Sequence, residues 1–410
     1  MDINNAFLNG DLFEEVHMTL PLGYQVSQVP DKGEKLACKL NKSIYGLKQA
    51  SRQWFLKFAA TISSHGFIQS KADYSLFTKG NGSTFVALLV YVDDILLTGP
   101  SPSNINSVKD SLKAHFKLKD LGQARYFLGL ELSRSERGLM LSQRKYCLQI
   151  LEDTGFLDSK SVVAPMDPNL KLCKSEGEQL TEEDATCYRR LIGRLIYLQI
   201  SRPDICFSVH RLSQFLHKPT KHHLDAAHHL LKYLKGSPGQ GVLIKPIDSF
   251  HLKAFVDADW GSCLDTRRSV TGFCIFLGDS IISWKSKKQP TVSRSSAEAE
   301  YRALTSVTSE LVWITQLLTD FKIKTLMPTT VFCDNQAAIA IASNPTFHER
   351  TKHIEIDCHF VRDKIIEGFL KVLPINTSLQ LADMFTKALP SSTLNRHISK
   401  LGMKDIHRPT

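Results

Sequence analysis

From about residue 250 onward the apolar positions change period several times in a short stretch, which marks alternating strands and helices. FHLKAFVDADW, TGFCIFLG and SIISWKS read as three strands, with Gly278-Asp279 turning the hairpin between the last two. A long helix then runs from Ser295 to about Asp320, because Leu304, Val307, Leu311, Ile314 and Leu318 recur at helical spacing. A strand over Thr329–Asp334, helical segments, a strand over Phe369–Ile375 and a last helix through Leu381–Leu389 follow. The order β-β-β-α-β-α-β-α predicts an α/β domain with a mixed five-stranded sheet flanked by helices.

Upstream the texture differs. Residues 1 to about 135 alternate short apolar strands with amphipathic helices, an α+β pattern. The helix around Ser51–Ser64 puts Trp54, Phe55, Phe58 and Ile62 on one stripe, and the apolar strands Phe85–Val92 and Ile95–Thr98 flank Asp93-Asp94. Residues 136–235 are mostly helical and basic, until GSPGQG at Gly236–Gly241 breaks the run. The expected regions are 1–135, 136–245 and 246–400, with a tail at 401–410.

Composition narrows the function classes. Of the 410 residues, 42% are hydrophobic and 22% charged, as in ordinary globular proteins. A net charge of +10 favours a polyanionic partner. The nine cysteines include no CxxC pair, so they read as buried hydrophobes or inert thiols in a reducing compartment. The longest apolar run, FVALLVYV, is far too short to span a bilayer, and the polar start MDINNAFLNGDL carries no signal pattern. A soluble intracellular protein with no membrane partner is expected, cytoplasmic or nuclear.

Ligand sites of open α/β sheets lie beyond the carboxyl ends of strands. Asp257 ends the first strand of the last region and Asp334 the fourth, although Asp is common wherever a strand turns. The long helix adds Glu300, which heads the apolar stripe and is costly there unless a cation lies nearby. Glu298 instead pairs with Ser295 as a capping box and is placed on the solvent side, above Arg302, Thr305 and Ser309. Asp383, near the start of the last helix, reads by itself as an acid favoured by the helix dipole. Together Asp257, Glu300, Asp334 and Asp383 make four acids from four elements, a set suited to two Mg²⁺ about 3.5–4 Å apart, with Mn²⁺ as a substitute. Asp259 is an outer candidate on the same strand face. Arg267, Arg268, Lys285, Lys287 and Lys288 suit phosphates, and equally a solvated basic surface.

Adjacent acids at a hairpin tip can be turn chemistry, but the strands around Asp93 and Asp94 leave them as the main polar feature presented. A template-directed polymerase needs two carboxylates bridging two Mg²⁺ at the primer 3′ end. Asp93 and Asp2 are the candidates, with Asp94 beside them.

MDINNAFLNGDLFEEVHM, KLNKSIYGLKQASRQW, LLVYVDDILLTG, YRRLIGRLIYLQISRPDICF, VSRSSAEAEYRAL and LADMFTKAL, in that order, resemble the Pol region of copia-type LTR retrotransposons. The resemblance covers nearly the whole chain. It implies a reverse-transcriptase palm over 1–135, a helical thumb or connection over 136–245 and an RNase H-like domain over 246–400. The implied activities are RNA-directed DNA polymerase and ribonuclease H. Their implied partners are RNA–DNA hybrids and template–primers, with dNTPs as substrates of the intact family member. Asp2, Asp93 and Asp94 correspond to the metal-binding acids of the palm, and Asp257, Glu300, Asp334 and Asp383 to those of the nuclease. Phe7 falls at the aromatic gate against the ribose 2′-OH. Gly46, Lys48, Gln49 and Arg52 belong to GLKQASR, the segment that supports nucleotide and template; Ser51 stands there where the family often has proline.

The family carries a fingers subdomain before its first catalytic acid, whereas Asp2 here follows only Met1. The expectation is a chain truncated at its N-terminus, with Asp2 on a strand lacking sheet partners and little or no polymerase activity. The competing reading is a catalytically inert nucleic-acid-binding remnant. His222, His223, His228 and His229 fall on more than one helical face and read as a solvated helix rather than a metal site. The basic helices around Arg189–Arg194 and Lys232–Lys235 suit a template–primer backbone. His353 and His359 are expected to pack the helix before the last strand.

Overall fold

The computed structural model describes residues 1–24, 36–343 and 355–407. It divides into two compact units, one of Met1–Phe127 with Gln316–Lys322, the other of Leu128–Thr315 with Ile323–Thr410. No helix among the described residues is long and apolar enough to cross a membrane.

In the first unit, strands β1 (Asp2–Ile3), β2 (Val86–Tyr91) and β3 (Asp94–Thr98) lie in a six-stranded sheet. The sheet runs Ile68–Gln69, Leu76–Lys79, β2, β3, β1, Leu118–Lys119. Helix α1 (Ala50–Ser64) buries Trp54, Phe58 and Ile62 of the stripe its spacing predicts, together with Ala50, while Phe55 is half-buried at the margin of the core. Each of the large side chains taken from water contributes about 1.5–3 kcal/mol. The Trp54 Nε1 donates to the Val92 carbonyl at 2.8 Å, which ties α1 to the β2–β3 hairpin tip.

The second unit holds helices α2 (Glu182–Leu198), α3 (Cys206–Ser213) and α4 (Lys221–Lys235). Their apolar faces share one core with Phe276, Ile281, Phe385, Leu401 and Met403. Inside it Arg202 and Asp204 form a buried ion pair at 2.7 Å. Tyr233 donates to Asp204 at 2.8 Å, and Arg202 donates to the Ser237 carbonyl at 2.8 Å. Full hydrogen bonding of both charges offsets the cost of burying them. Met403–Asp405 pairs with Gln240–Ile244, which pairs with Gly138–Ser142. The segment expected to be a tail therefore closes a sheet begun far upstream, and the boundary expected near 245 falls inside one unit. GSPGQG turns the chain between α4 and the strand Gln240–Ile244; it does not separate units.

Beyond that strand come β4 (His251–Ala258), β5 (Val270–Leu277), β6 (Ser280–Lys288), α5 (Ser296–Asp320), β7 (Leu326–Cys333) and β8 (Leu370–Pro374). The sheet order is β6-β5-β4-β7-β8, a mixed five-stranded sheet as the sequence predicts. The first three strands are antiparallel, while β7 runs parallel to both β4 and β8. Gly278, at φ +59°, turns the β5–β6 hairpin. The last helix differs from expectation. It is a four-residue turn, α6 (Asp383–Thr386), separated from Ser391–Lys400 by an extended Lys387 and by Pro390, which begins the next helix.

Candidate active site

Asp257 lies near the carboxyl end of β4, and Asp334 directly follows the parallel neighbour β7, so both emerge at one sheet edge. Glu300 reaches them from the start of α5. One carboxylate oxygen from each of Asp257, Glu300 and Asp334 falls within 4.8 Å of the others. Asp257 and Glu300 are buried and Asp334 is half-buried. Among the described residues no other three potential ligands are gathered this closely.

Burial, then the charges of Asp257 and Asp334, push the Glu300 carboxyl up to about 9. The Cys333 thiol sits 3.8 Å from Glu300 Oε2, too soft a group to serve a hard cation. Three oxygen ligands, mutually repelling and mostly desolvated, fit a divalent ion of the Mg²⁺ type.

Asp383 is buried but stands outside that set. Its Oδ1 is 2.9 Å from Lys387 Nζ, which is also 4.0 Å from Asp257 Oδ2. Burial raises the Asp383 carboxyl to about 6, with Lys387 opposing and Asp257 reinforcing the shift. The Thr386 hydroxyl donates to the same Asp257 Oδ2. Two further residues bring α6 here. Gly272 is the register partner of Asp257, and a Cβ on it would lie 2.6 Å from Thr386 Cγ2. Gln380 is fully buried and spans from the Val256 carbonyl (2.9 Å) to the Ala382 amide (3.2 Å). The sequence reading missed Gly272, Gln380, Thr386 and Lys387. Thr386 and Lys387 were detectable, because they follow Asp383 at helical i+3 and i+4 spacing.

Several expectations need correction. Glu298 forms the cap with Ser295, but it is buried rather than solvent-facing. It accepts from the Arg294 amide at 2.8 Å and from Arg302 at 3.1 and 3.2 Å, so the guanidinium covers it. Asp259 lies past the end of β4 and staples the following loop, accepting from the Val270 amide at 2.5 Å and from Ser262. Burial raises it to about 6. Lys285 lies 3.9 Å from Glu310 and over the Phe273 ring, so it is partly neutralised, whereas Lys287 is exposed. The histidine tract is not simply solvated. His223 is fully buried, accepts the Thr220 amide at 2.9 Å and stacks on Phe215, and His229 contacts the Ala164 carbonyl at 3.0 Å. His359 is exposed on its helix, and His353 lies outside the described residues.

In the first unit, Asp2 does have sheet partners. It pairs with Asp94 on one side and Lys119 on the other. Ile3 donates to the Asp93 carbonyl at 2.8 Å and Ile95 to the Met1 carbonyl at 2.9 Å. Asp2 and Asp94 are thus a non-hydrogen-bonded cross-strand pair, the type that brings side chains closest. Burial, then Asp93 and Asp2, raise the Asp94 carboxyl. Among the described residues Asp2, Asp93 and Asp94 are not gathered as tightly as the other three acids. The Phe7 ring packs 4.6 Å from that of Tyr45. Gly46 takes φ +97°, Lys48 and Arg52 are exposed, and Gln49 donates to Glu14 at 3.5 Å.

Residues 1–168 match the family model described as reverse transcriptase (RNA-dependent DNA polymerase). Over 403 residues the chain is 43% identical to the retrovirus-related Pol polyprotein from transposon RE1 of Arabidopsis thaliana, covering 98% of this chain and 27% of that protein. It is 37% identical over 412 residues to that from transposon TNT 1-94 of Nicotiana tabacum, covering 98% and 30%. The chain thus spans less than a third of these curated relatives. A solved ribonuclease H1, LC11-RNase H1 in complex with RNA/DNA hybrid, matches 33% of this chain and 93% of its own at 14% identity, with a TM-score of 0.26.

Proposed function

The chain belongs to the Pol family of copia-type LTR retrotransposons, and on that premise we propose that its second unit carries a metal-dependent ribonuclease H acting on RNA–DNA hybrids. The observation behind this is the convergence of Asp257, Glu300 and Asp334 from three elements to within 4.8 Å. These carboxylates would hold Mg²⁺, or Mn²⁺ in its place, which supplies activation of the attacking water and neutralisation of charge at the phosphate. Asp257 is the shared acid, since it faces both the triad and Asp383 across Lys387. Thr386 orients its Oδ2, and Glu300 is the buried ligand contributed by α5. Asp383 is the fourth acid. Arg267, Arg268, Lys287 and Lys288 would contact the hybrid backbone without reading sequence.

In the same reading the first unit is the palm of an RNA-directed DNA polymerase, with residues 136–245 as thumb or connection. Asp2, Asp93 and Asp94 would hold Mg²⁺ at a template–primer end. Phe7, Gly46, Lys48, Gln49 and Arg52 would contact the dNTP and template.

The test is cleavage of a labelled RNA–DNA hybrid in Mg²⁺ by wild type and Asp257→Asn. Cleavage lost in the variant while hybrid binding persists supports the nuclease. Hybrid binding without cleavage in the wild type supports an inert nucleic-acid-binding remnant instead.

A further inference from the structure

The four acids fall into two unequal groups, and Lys387 is what divides them. Asp257, Glu300 and Asp334 already present their oxygens within 4.8 Å of one another. Asp383 is outside that set, and the ammonium of Lys387 stands between it (2.9 Å) and Asp257 (4.0 Å). Given the cluster as a metal site, as proposed above, we propose that Lys387 is a tethered counter-cation. A first divalent ion enters the triad directly, whereas a second binds between Asp257 and Asp383 only by displacing the ammonium.

The local structure suits such a device. Asp383 and Lys387 are spaced i, i+4, which sets the reach of the side chain onto the carboxylate. At Lys387 the backbone leaves α6 and becomes extended, at φ −146° and ψ 156°. The side chain is 46% exposed while its two acid partners are 8% and 10% exposed, so the ammonium has solvent to swing into and the acids do not. The Asp257 oxygen it approaches also accepts the Thr386 hydroxyl, so removing the ammonium leaves Asp257 oriented. Lysine is the residue type for this task, being a compact point charge on a flexible stem.

The experiment is calorimetric titration of Mn²⁺ and Mg²⁺ into the full chain in an Asp2→Asn, Asp94→Asn background, which removes the ion binding proposed for the first unit. That background is titrated with Lys387 intact and as Lys387→Met, Lys387→Arg and Asp383→Asn, circular dichroism confirming the fold of each. Lys387→Met is expected to tighten the second binding step roughly tenfold while leaving the first nearly unchanged, a coupling in the usual range between sites. Lys387→Arg, whose guanidinium forks bidentately onto a carboxylate, should leave the second step as weak as intact Lys387 does or weaker, and Asp383→Asn should weaken the second step alone. Equal changes in both steps, or none in either, would overturn the counter-cation role while leaving the metal site standing. A chain that binds no ion in any variant would overturn the metal reading and this proposal with it.

Discussion

Gly272 faces Asp257 across the β4–β5 ladder, and the space left by its missing side chain is filled by Thr386, which hydrogen-bonds to that same aspartate. One absent methyl thus lets α6 dock on the sheet and fixes the orientation of the central acid. The relationship runs from a residue type through packing to chemistry, and it can be broken at a single atom.

Gly272→Ala should therefore push α6 away from the sheet. A Cβ at 2.6 Å from Thr386 Cγ2 and 2.9 Å from Phe385 Cβ must displace one of them. Overpacking of this kind costs about 1–3 kcal/mol. Urea denaturation should show that loss, and hybrid cleavage should fall further than the stability change accounts for. Normal cleavage from a destabilised protein would show that α6 placement is irrelevant to the site.

Glu300→Gln should separate charge from shape. It keeps the volume and removes the repulsion that holds the carboxyl up near 9, so the metal-free variant should melt higher than wild type. Its hybrid cleavage should drop by on the order of 10²–10³, the usual loss when one electrostatic group is removed from such a site. A variant less stable without metal would mean that Glu300 is already compensated by a cation of the chain.

The strand and helix order from β4 to β8 was legible because period-2 and helical patterns are local, and three acids fell at strand ends or a helix start where local rules look for them. What escaped is nonlocal. Glu298 looks solvent-facing from spacing alone, yet Arg302 folds back to bury it. The strand Met403–Asp405 pairs with Gln240–Ile244 across a long stretch of chain, so no window of sequence contains both. Lys387 was visible as i+4 to Asp383, but its contact with Asp257 depends on α6 ending after one turn.

Asp2→Asn should stabilise the first unit modestly. Asp2 and Asp94 are directly opposite on adjacent strands, and like charges there are destabilising by about 0.2–1 kcal/mol. The variant should gain that much in urea, and lose Mn²⁺ binding in the first unit if Asp2 is a ligand. A loss of stability on substitution would instead mean that the Asp2 charge is compensated in the fold.

Acid should destabilise the second unit through histidines held neutral in its interior. Burial, reinforced by nearby cations, lowers His397 and His210 to about 4. Burial lowers His223 to about 4 as well. Such a group binds its proton more readily when unfolded, at the ordinary value of 6.5, than when folded. Its contribution to stability is therefore complete above pH 6.5 and drains away as the pH falls through the window down to about 4. The expected loss is on the order of 1–3 kcal/mol per histidine. His397 is the cleanest probe, because both its ring nitrogens are buried without a hydrogen-bond partner among the described residues. His397→Leu should leave the urea midpoint near wild type or higher at pH 7.5 and lessen its fall at pH 5. An equal fall in both proteins would place the acid sensitivity elsewhere, first in His210, whose ring accepts the Lys288 amide at 3.0 Å and must lose that bond on protonation.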